Sequence, residues 1–378
     1  HPRWVNGTNV FRYTRFHHTP DAAITGWWML AVDEHLEPSA PFAARAAALG
    51  DFLLGAQRPS GAIPTWVDAA RDARATGPLA ECASSAAAGM FLARLAARGG
   101  REAHRAAARR VAEFLIARVF PGNEWYDTEV FFSCSRKPPG WRDPVTGIPP
   151  QGTLSMSWAA GMLLELFAQT GEDRYLRYGR AVLDRLLLFQ QVWDAPFLSY
   201  DTRGGFGVMN TDAEWSDARQ ASFAPLLMGW YDVTGEPELF QRGVAALRAS
   251  FTLMHTDGVD HGALPENYGH AGRDRHIQGY IMPDWGAGTA CSTAALVRSR
   301  WGDLFVDARR GRAFGIDGCR VTGAVFGPTS IALTVERLGD APLLVRIGGA
   351  EESEREIVVN GARIGRLDKD AIGKGVLA

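Results

Sequence analysis

The chain has 378 residues, 46% of them hydrophobic and 22% charged, with a formal net charge of -2. That composition fits a globular chain long enough for one large core or two domains. The near-neutral balance provides no basic field for nucleic acid. No apolar run reaches the roughly 18–20 residues of a membrane span, since the longest, around Ala181 to Phe189, is broken by Asp184 and Arg185. Neither nucleic acid nor a membrane is therefore expected as a partner. The chain begins at His1 rather than Met. A removed secretory signal fits that start, so a secreted or periplasmic location is the expectation, with the cytoplasm as the alternative.

In chain order, the first element is a helix pair in "GWWMLAVDEHLEPSAPFAARAAALGDFLLGAQ" (26–57), turning at Pro38. A second pair, "MFLARLAARGGREAHRAAARRVAEFLIARVF" (90–120), turns at Gly99-Gly100. Two further copies align with each other. They are "GMLLELFAQTGEDRYLRYGRAVLDRLLLFQQVW" (161–193) and "PLLMGWYDVTGEPELFQRGVAALRASFTLM" (225–254), with Thr-Gly-Glu turns that begin at Thr170 and Thr234. Glycine stops the first helix of each pair, and the acid after it suits the N-terminus of the next. A last helix is expected from about Gly286 to Trp301.

Repeated helix hairpins mark a helical array. The first helices are apolar almost all round, as in "SSAAAGMFLARL" and "MSWAAGMLLELF", so they are expected inside. The second helices carry Arg and Glu on one face and are expected outside. From about 305 the pattern changes to strands, in "CRVTGAVFG", "SIALTVERL", "PLLVRIGG" and "EIVVNGARIG", with Asn360-Gly361 as a tight turn. The expectation is a mainly α chain: helix hairpins over 1–304, then a small antiparallel β domain over 305–378.

Inner and outer helices, long loops at one end and a β module resemble the (α/α) toroid carbohydrate-active enzymes. That group includes unsaturated uronyl hydrolases, β-L-arabinofuranosidases and toroid polysaccharide lyases. The resemblance covers about residues 20–300 as architecture and implies an (α/α)6-type toroid acting on an oligo- or polysaccharide. "EWYDTEVF" (124–131) is similar to the Trp-x-Asp loop of the uronyl hydrolases, which implies an acid/base role for Asp127. "ECAS" (81–84) resembles a Glu-x-Cys zinc motif of the arabinofuranosidases. Its spacing departs, because Glu81 and Cys82 are adjacent and no Cys pair follows, so zinc is not carried over and no cofactor is expected.

The connections between hairpins, 58–77, 121–152, 193–215 and 255–285, are long and rich in aromatics, acids and glycines. Each follows an outer helix and precedes an inner one, so all are expected at one end of the array, where long loops are usually functional. Glycoside hydrolysis needs two carboxyls about the scissile bond. The loops offer Asp127 and Glu129, then Asp212 and Glu214, then Glu266 with Asp284. The alternative for Thr211-x-x-Glu214 is a helix capping box, with Asp217 in the first turn. Gly204, Gly205 and Gly207 suit a close approach to a ligand or a plain hairpin turn.

Trp66, Trp125, Trp141, Trp193, Trp215 and Trp285, with Tyr126 beside them, offer flat faces for a pyranose. The alternative for each is a loop anchor. A lyase reading places Tyr268 and His270 as base and acid, with Asn267, Arg273 and Arg275 to neutralise a uronate carboxylate. Arg219 would hold a substrate carboxylate or simply pair with Asp217. A third reading is a glycan-binding solenoid without catalysis. His255, His261, His270 and His276 are too loosely spaced for a metal site, and none is expected. Cys82, Cys134, Cys291 and Cys319 form no CxxC; buried free thiols are expected, with one disulfide left open. The absence of GxxxxGK[ST], GxSxG, HExxH and a convincing GxGxxG argues against nucleotide, α/β-hydrolase, zincin and Rossmann chemistry.

Overall fold

The computed structural model describes residues 16–68, 74–75, 80–126, 137–138, 140–211, 214–269, 272–273, 275–276, 279–280, 286–349, 353 and 355–378. Its helical part consists of hairpins. Helix α1 (Thr19–His35) pairs with α2 (Ala40–Ala56), and α3 (Ser85–Ala97) with α4 (Glu102–Phe114). Helix α5 (Thr153–Thr170) pairs with α6 (Asp173–Leu187), and α7 (Phe223–Thr234) with α8 (Pro237–Thr252). A further helix, α9 (Ala287–Trp301), follows. Helix α4 runs on through a π-turn at Leu115–Val119.

The Thr-Gly-Glu repeat has a structural cause. Gly171 and Gly235 end α5 and α7 at φ +68 and +75, a left-handed conformation that glycine adopts without a Cβ clash. Thr170 and Thr234 turn their hydroxyls back onto Leu166 and Trp230 carbonyls at 2.7 and 2.9 Å and accept from the Glu172 and Glu236 amides at 3.2 and 3.3 Å. Each glutamate then takes an arginine from the preceding outer helix: Arg109 donates to Glu172 and Arg180 to Glu236. One tripeptide thus ends a helix, starts the next and ties it to its neighbour.

Helix α1 packs on α3, α3 on α5, α5 and α9 on α7, and α9 returns to α1. The C-terminal ends of these inner helices meet in one charged cluster. Arg94 of α3 donates to Glu34 of α1 and, at 2.9 Å, to Glu165 of α5. Arg300 of α9 lies 3.8 Å from Asp232 of α7, and the Ser299 hydroxyl donates to the His35 carbonyl. Helices whose C-termini meet run the same way, so their N-termini share the opposite end. The buried faces of α3, α5 and α7 are nearly continuous, with Phe91, Leu92, Met162, Leu163, Trp230 and Tyr231 all fully covered.

Short strands β1 (Phe16–His18), β2 (Trp66–Asp68), β3 (Arg74–Ala75), β4 (Glu214–Asp217), β5 (Asn267–Gly269), β6 (Gly272–Arg273), β7 (Arg275–His276) and β8 (Gly279–Tyr280) precede or join the hairpins, and beyond α9 the chain forms the remaining strands. One sheet joins β10 (Arg312–Gly315), β9 (Leu304–Asp307), β13 (Leu344–Gly348) and β16 (Val376–Leu377). The other joins β11 (Cys319–Phe326), β12 (Ser330–Arg337), β14 (Glu356–Val359) and β15 (Ala362–Arg366). The expected antiparallel module is in fact mixed, because β12 pairs β14 in parallel and β13 pairs β9 in parallel. The reason is topological. The chain leaves one sheet after β12, contributes β13 to the other, and returns as β14 in the same direction. Ile331, Leu333, Val345 and Ile357 fill the space between the sheets. The module is fixed to the helices by Tyr231, whose hydroxyl donates to Asp307 at 2.8 Å, and by Arg310, which donates to the Asp232 carbonyl of α7 at 2.8 Å as well as to the Asp307 carboxylate at 2.8 Å.

Candidate active site

The N-terminal end of the inner helices is where the long connections lie, and three of them are laced together. Thr153, the first residue of α5, donates its hydroxyl to the Gly207 and Val208 carbonyls at 2.9 and 3.0 Å. The Gln151 amide donates to Asn210 Oδ1 at 2.8 Å, and Asn210 Nδ2 to the Pro149 carbonyl at 3.2 Å. Gly152 and Met209 form a bridge, and Tyr126 packs on Val208 and Met209. These bonds join 121–152 to 193–215.

The second joint is a small sheet in the order β4 (Glu214–Asp217), β5 (Asn267–Gly269) and β6 (Gly272–Arg273). It brings 193–215 against 255–285. Asn267 Nδ2 donates to Glu214 Oε1 at 2.9 Å. Glu214 is half-buried, whereas Asn267 and Tyr268 are 2% exposed. The Tyr268 hydroxyl is engaged by Ser199, accepting from its amide at 3.1 Å and lying 2.8 Å from its hydroxyl.

The capping box weighed as the alternative for Thr211 and Glu214 does not form. Glu214 is in a strand, and the cap is Asp217, which accepts from the Arg219 amide at 2.8 Å while Gln220 Oε1 takes the Asp217 amide at 3.3 Å. Asp217 is therefore the capping residue itself rather than part of the first turn. Strand pairing to Asn267–Gly269 displaced the earlier box, and the signal for the true one was present as Asp217-x-x-Gln220. Arg219 forks onto Asp217 at 2.7 and 2.8 Å, which is the plain pairing rather than a free cation. The glycines serve the protein's own packing: a Cβ on Gly204 would lie 2.4 Å from the Ala245 carbonyl, and one on Gly205 2.5 Å from Ser216 Oγ.

The aromatic residues divide. Trp125 is fully buried beside Phe120, and Trp66 is 8% exposed beside His18, so both anchor loops and offer little face to a sugar. Trp141 and Tyr126 line a surface hollow with Glu124 and Arg142, and the Lys137 ammonium sits 4.9 Å over the Trp141 ring. Burial first, then Glu124, raises the Tyr126 phenol above its ordinary pKa. Trp193 and Trp215 lie together in the rim, 6.2 Å between centroids. Glu266 lines a small cleft with Asp217, Ser250 and Pro265. Arg273 lies in β6 opposite Tyr268. Asp127, Glu129, Asp212, His270, Asp284 and Trp285 lie outside the described residues, as does Cys134; Cys82 and Cys319 are buried, whereas Cys291, expected buried, is exposed on α9. Among the described residues no cluster of His, Cys, Asp or Glu would hold a metal ion. Sequence reasoning missed Ser199, Asn210 and Gln220, whose roles are contacts between loops distant in the chain.

No protein family matches the sequence, and no curated protein does. Solved structures match it as a fold. A cellobiose 2-epimerase from Bacillus thermoamylovorans superimposes with TM-score 0.50 at 12% identity, over 70% of this chain and 68% of its own. A D-mannose isomerase gives 0.49 at 14% identity over 76% and 72%. An α-mannanase of Bacteroides thetaiotaomicron gives 0.49 at 11% over 75% and 69%. The resemblance to toroid carbohydrate-active enzymes read from the sequence is met, at the level of fold, by the epimerase match.

Proposed function

We propose that the protein is a carbohydrate-active enzyme on an (α/α) toroid, and that it hydrolyses a glycosidic bond of an oligo- or polysaccharide with a carboxyl pair that includes Glu214. The observation that carries this reading is the lacing of three long connections at the N-terminal end of parallel inner helices, with a half-buried carboxylate held there by Asn267 at 2.9 Å. A half-buried carboxyl is the kind whose protonation can be tuned for acid or base work. Its partner is Asp127, Glu129 or Asp212, each supplied by one of the laced connections. Helix N-termini converging there favour ionised acids and anionic sugars. The fold shared with a sugar epimerase supports a carbohydrate substrate without choosing the bond broken.

The second reading is elimination with Tyr268 and His270, and Asn267 beside Glu214 favours it. The Tyr268 hydroxyl, however, is buried and already bonded to Ser199. The test is a glycan panel assayed in parallel for new reducing ends, for absorbance of an unsaturated uronate and for epimerised sugar. The expected result is new reducing ends alone, with turnover lowered about 100-fold or more in Glu214→Gln, the size of an acid–base contribution. Wild-type turnover in Glu214→Gln overturns the role of Glu214. Unsaturated product overturns hydrolysis in favour of elimination, and bound but uncleaved sugar leaves a binding protein.

A further inference from the structure

Between α6 and β4 the chain makes a closed loop whose base is pinned three times. The Gln191 amide donates to the Gly205 carbonyl at 2.9 Å, the Gly204 amide returns to the Gln191 carbonyl at 2.7 Å, and Gln190 Nε2 donates to the Gly204 carbonyl at 3.0 Å. The far side is pinned by Ser199 to Tyr268, and Tyr200 lies edge-on to the same ring at 5.4 Å. A loop so tethered holds its outward side chains in place. Two of them are aromatic and in solvent: Trp193 is 49% exposed and Phe197 59%.

The third ring comes from β4. Its register with β5 runs Glu214 opposite Gly269, then Ser216 opposite Tyr268, so Trp215 is the extra residue of a β-bulge. A bulge leaves its residue out of the ladder and re-aims the side chain, and bulges are common beside active sites. Here it directs Trp215 onto the loop, with centroids 5.4 Å from Phe197 and 6.2 Å from Trp193; Trp193 and Phe197 are 6.0 Å apart. All three pairs are edge-to-face, at 74°, 64° and 68°, and the exposure of Trp193 and Phe197 keeps part of their ring surface open to solvent. Among the described residues the cation–π partners are Trp141, Tyr175, Tyr231 and Trp301, none of them in this group.

We propose that Trp193, Phe197 and Trp215 form a stacking subsite for an uncharged pyranose of the glycan chain, adjoining the position served by Glu214. The inference rests on the reading of the site as carbohydrate-active. Open aromatic faces without a paired cation suit the CH face of a neutral sugar, and Trp215 follows Glu214 directly on one strand, a step of about 3.3 Å. The substrate is therefore a chain that spans both positions rather than a single sugar. Tyr268 is a positioning residue for the platform, acting through Ser199.

The test titrates cellotetraose and mannotetraose as neutral chains, and glucose and mannose as single sugars, against the full chain carrying Glu214→Gln to prevent turnover. The exposed rings can be removed without disturbing the core, so Trp193→Ala and Phe197→Ala are the variants, each checked for unchanged thermal unfolding. The expected result is that a tetrasaccharide binds and that each variant weakens it about tenfold, equal to about 1.4 kcal/mol, with single-sugar affinity unmoved. Tyr268→Phe is expected to weaken the tetrasaccharide several-fold with every platform ring retained. Equal tetrasaccharide affinity in wild-type and variant platforms overturns the subsite and leaves the proposed function standing. Failure of all four sugars to bind the intact platform overturns both. Sedimentation in which Phe197→Ala dissociates a dimer without changing sugar affinity assigns the face to a second copy and overturns the subsite.

Discussion

Gly205→Ala is the perturbation that best tests how the sequence shapes the candidate site. An added Cβ would lie 2.5 Å from Ser216 Oγ, 2.8 Å from Gln220 Oε1 and 3.0 Å from the Thr202 carbonyl. Those atoms are not slack. Ser216 donates to Gln220 Oε1 at 2.7 Å, and the same oxygen accepts from the Phe206 amide at 2.8 Å and the Asp217 amide at 3.3 Å. Ser216 and Gln220 are 0% and 1% exposed, so water cannot replace a lost partner. Overpacking costs about 1–3 kcal/mol, and each buried donor left unpaired about 1–3 kcal/mol more. With one donor orphaned, the expected loss is about 3–4 kcal/mol. Gly55→Ala is the control: nothing lies within 4 Å of its Cβ in the last turn of α2, and the change should be neutral or stabilise by up to about 0.5 kcal/mol. Urea unfolding followed by tryptophan fluorescence reads both through the shift in midpoint at constant slope. A Gly205→Ala variant within about 1 kcal/mol of wild type would refute the claim that this glycine is dictated by the network holding β4.

Two further outcomes follow from buried charge. Burial, with Arg300, Arg94 and Arg98 nearby and opposed by Glu34, lowers the His35 imidazole from 6.5 to about 4. The folded chain thus binds fewer protons than the unfolded one, so this stability is full above the unfolded value and is lost as pH falls through about 4. The loss is at most about 3 kcal/mol, and His35→Gln, which can still accept from Arg94, is expected to remove that slope when unfolding midpoints are compared at about pH 7 and pH 4. Asp307→Ala leaves the Tyr231 hydroxyl and the Arg310 guanidinium without their shared carboxylate, at a cost of about 3 kcal/mol, toward the lower end because Arg310 reaches solvent. A drop in melting temperature too small to reach about 1 kcal/mol would show that the junction of helices and sheets does not depend on that carboxylate.

The helix hairpins were legible because the signals are local. Apolar periodicity, Gly171 and Gly235 at helix ends and the glutamate after each act within a turn or two. The same locality explains the errors. Thr211-x-x-Glu214 satisfies a capping pattern, but Asn267–Gly269, some fifty residues on, claims Glu214 for a sheet. Trp125 and Trp193 look alike as loop tryptophans, yet one is enclosed by the core and the other is half in water. Which of the two a tryptophan becomes depends on neighbours from other hairpins, and no window of sequence contains them. The mixed β module is of the same kind, since strand pattern reveals that β12, β13 and β14 exist but not that β13 belongs to the other sheet.

The charge arrangement of the inner helices links fold to chemistry. Within a turn of their ends, the parallel inner helices carry positive poles at their N-termini and negative poles at their C-termini. At the C-terminal end stand Arg94 and Arg98, Arg298 and Arg300, each in or just past the last turn of its helix, where a cation is favoured. Glu34, Glu165 and Asp232 are at that end too, against the field, and each is matched by one of those arginines at 3.8 Å or less. Replacing Arg94 would therefore leave Glu34 and Glu165 facing a negative field as well as each other. At the N-terminal end Asp21, in the first turn of α1, and Asp217, which caps the short turn Ala218–Ser222 ahead of α7, meet the favourable pole. Glu214 enters that end on β4, where Asn267 holds one of its carboxylate oxygens at 2.9 Å. The charged cluster thus ties the C-terminal ends of the inner helices together, and the laced connections lie at the opposite end.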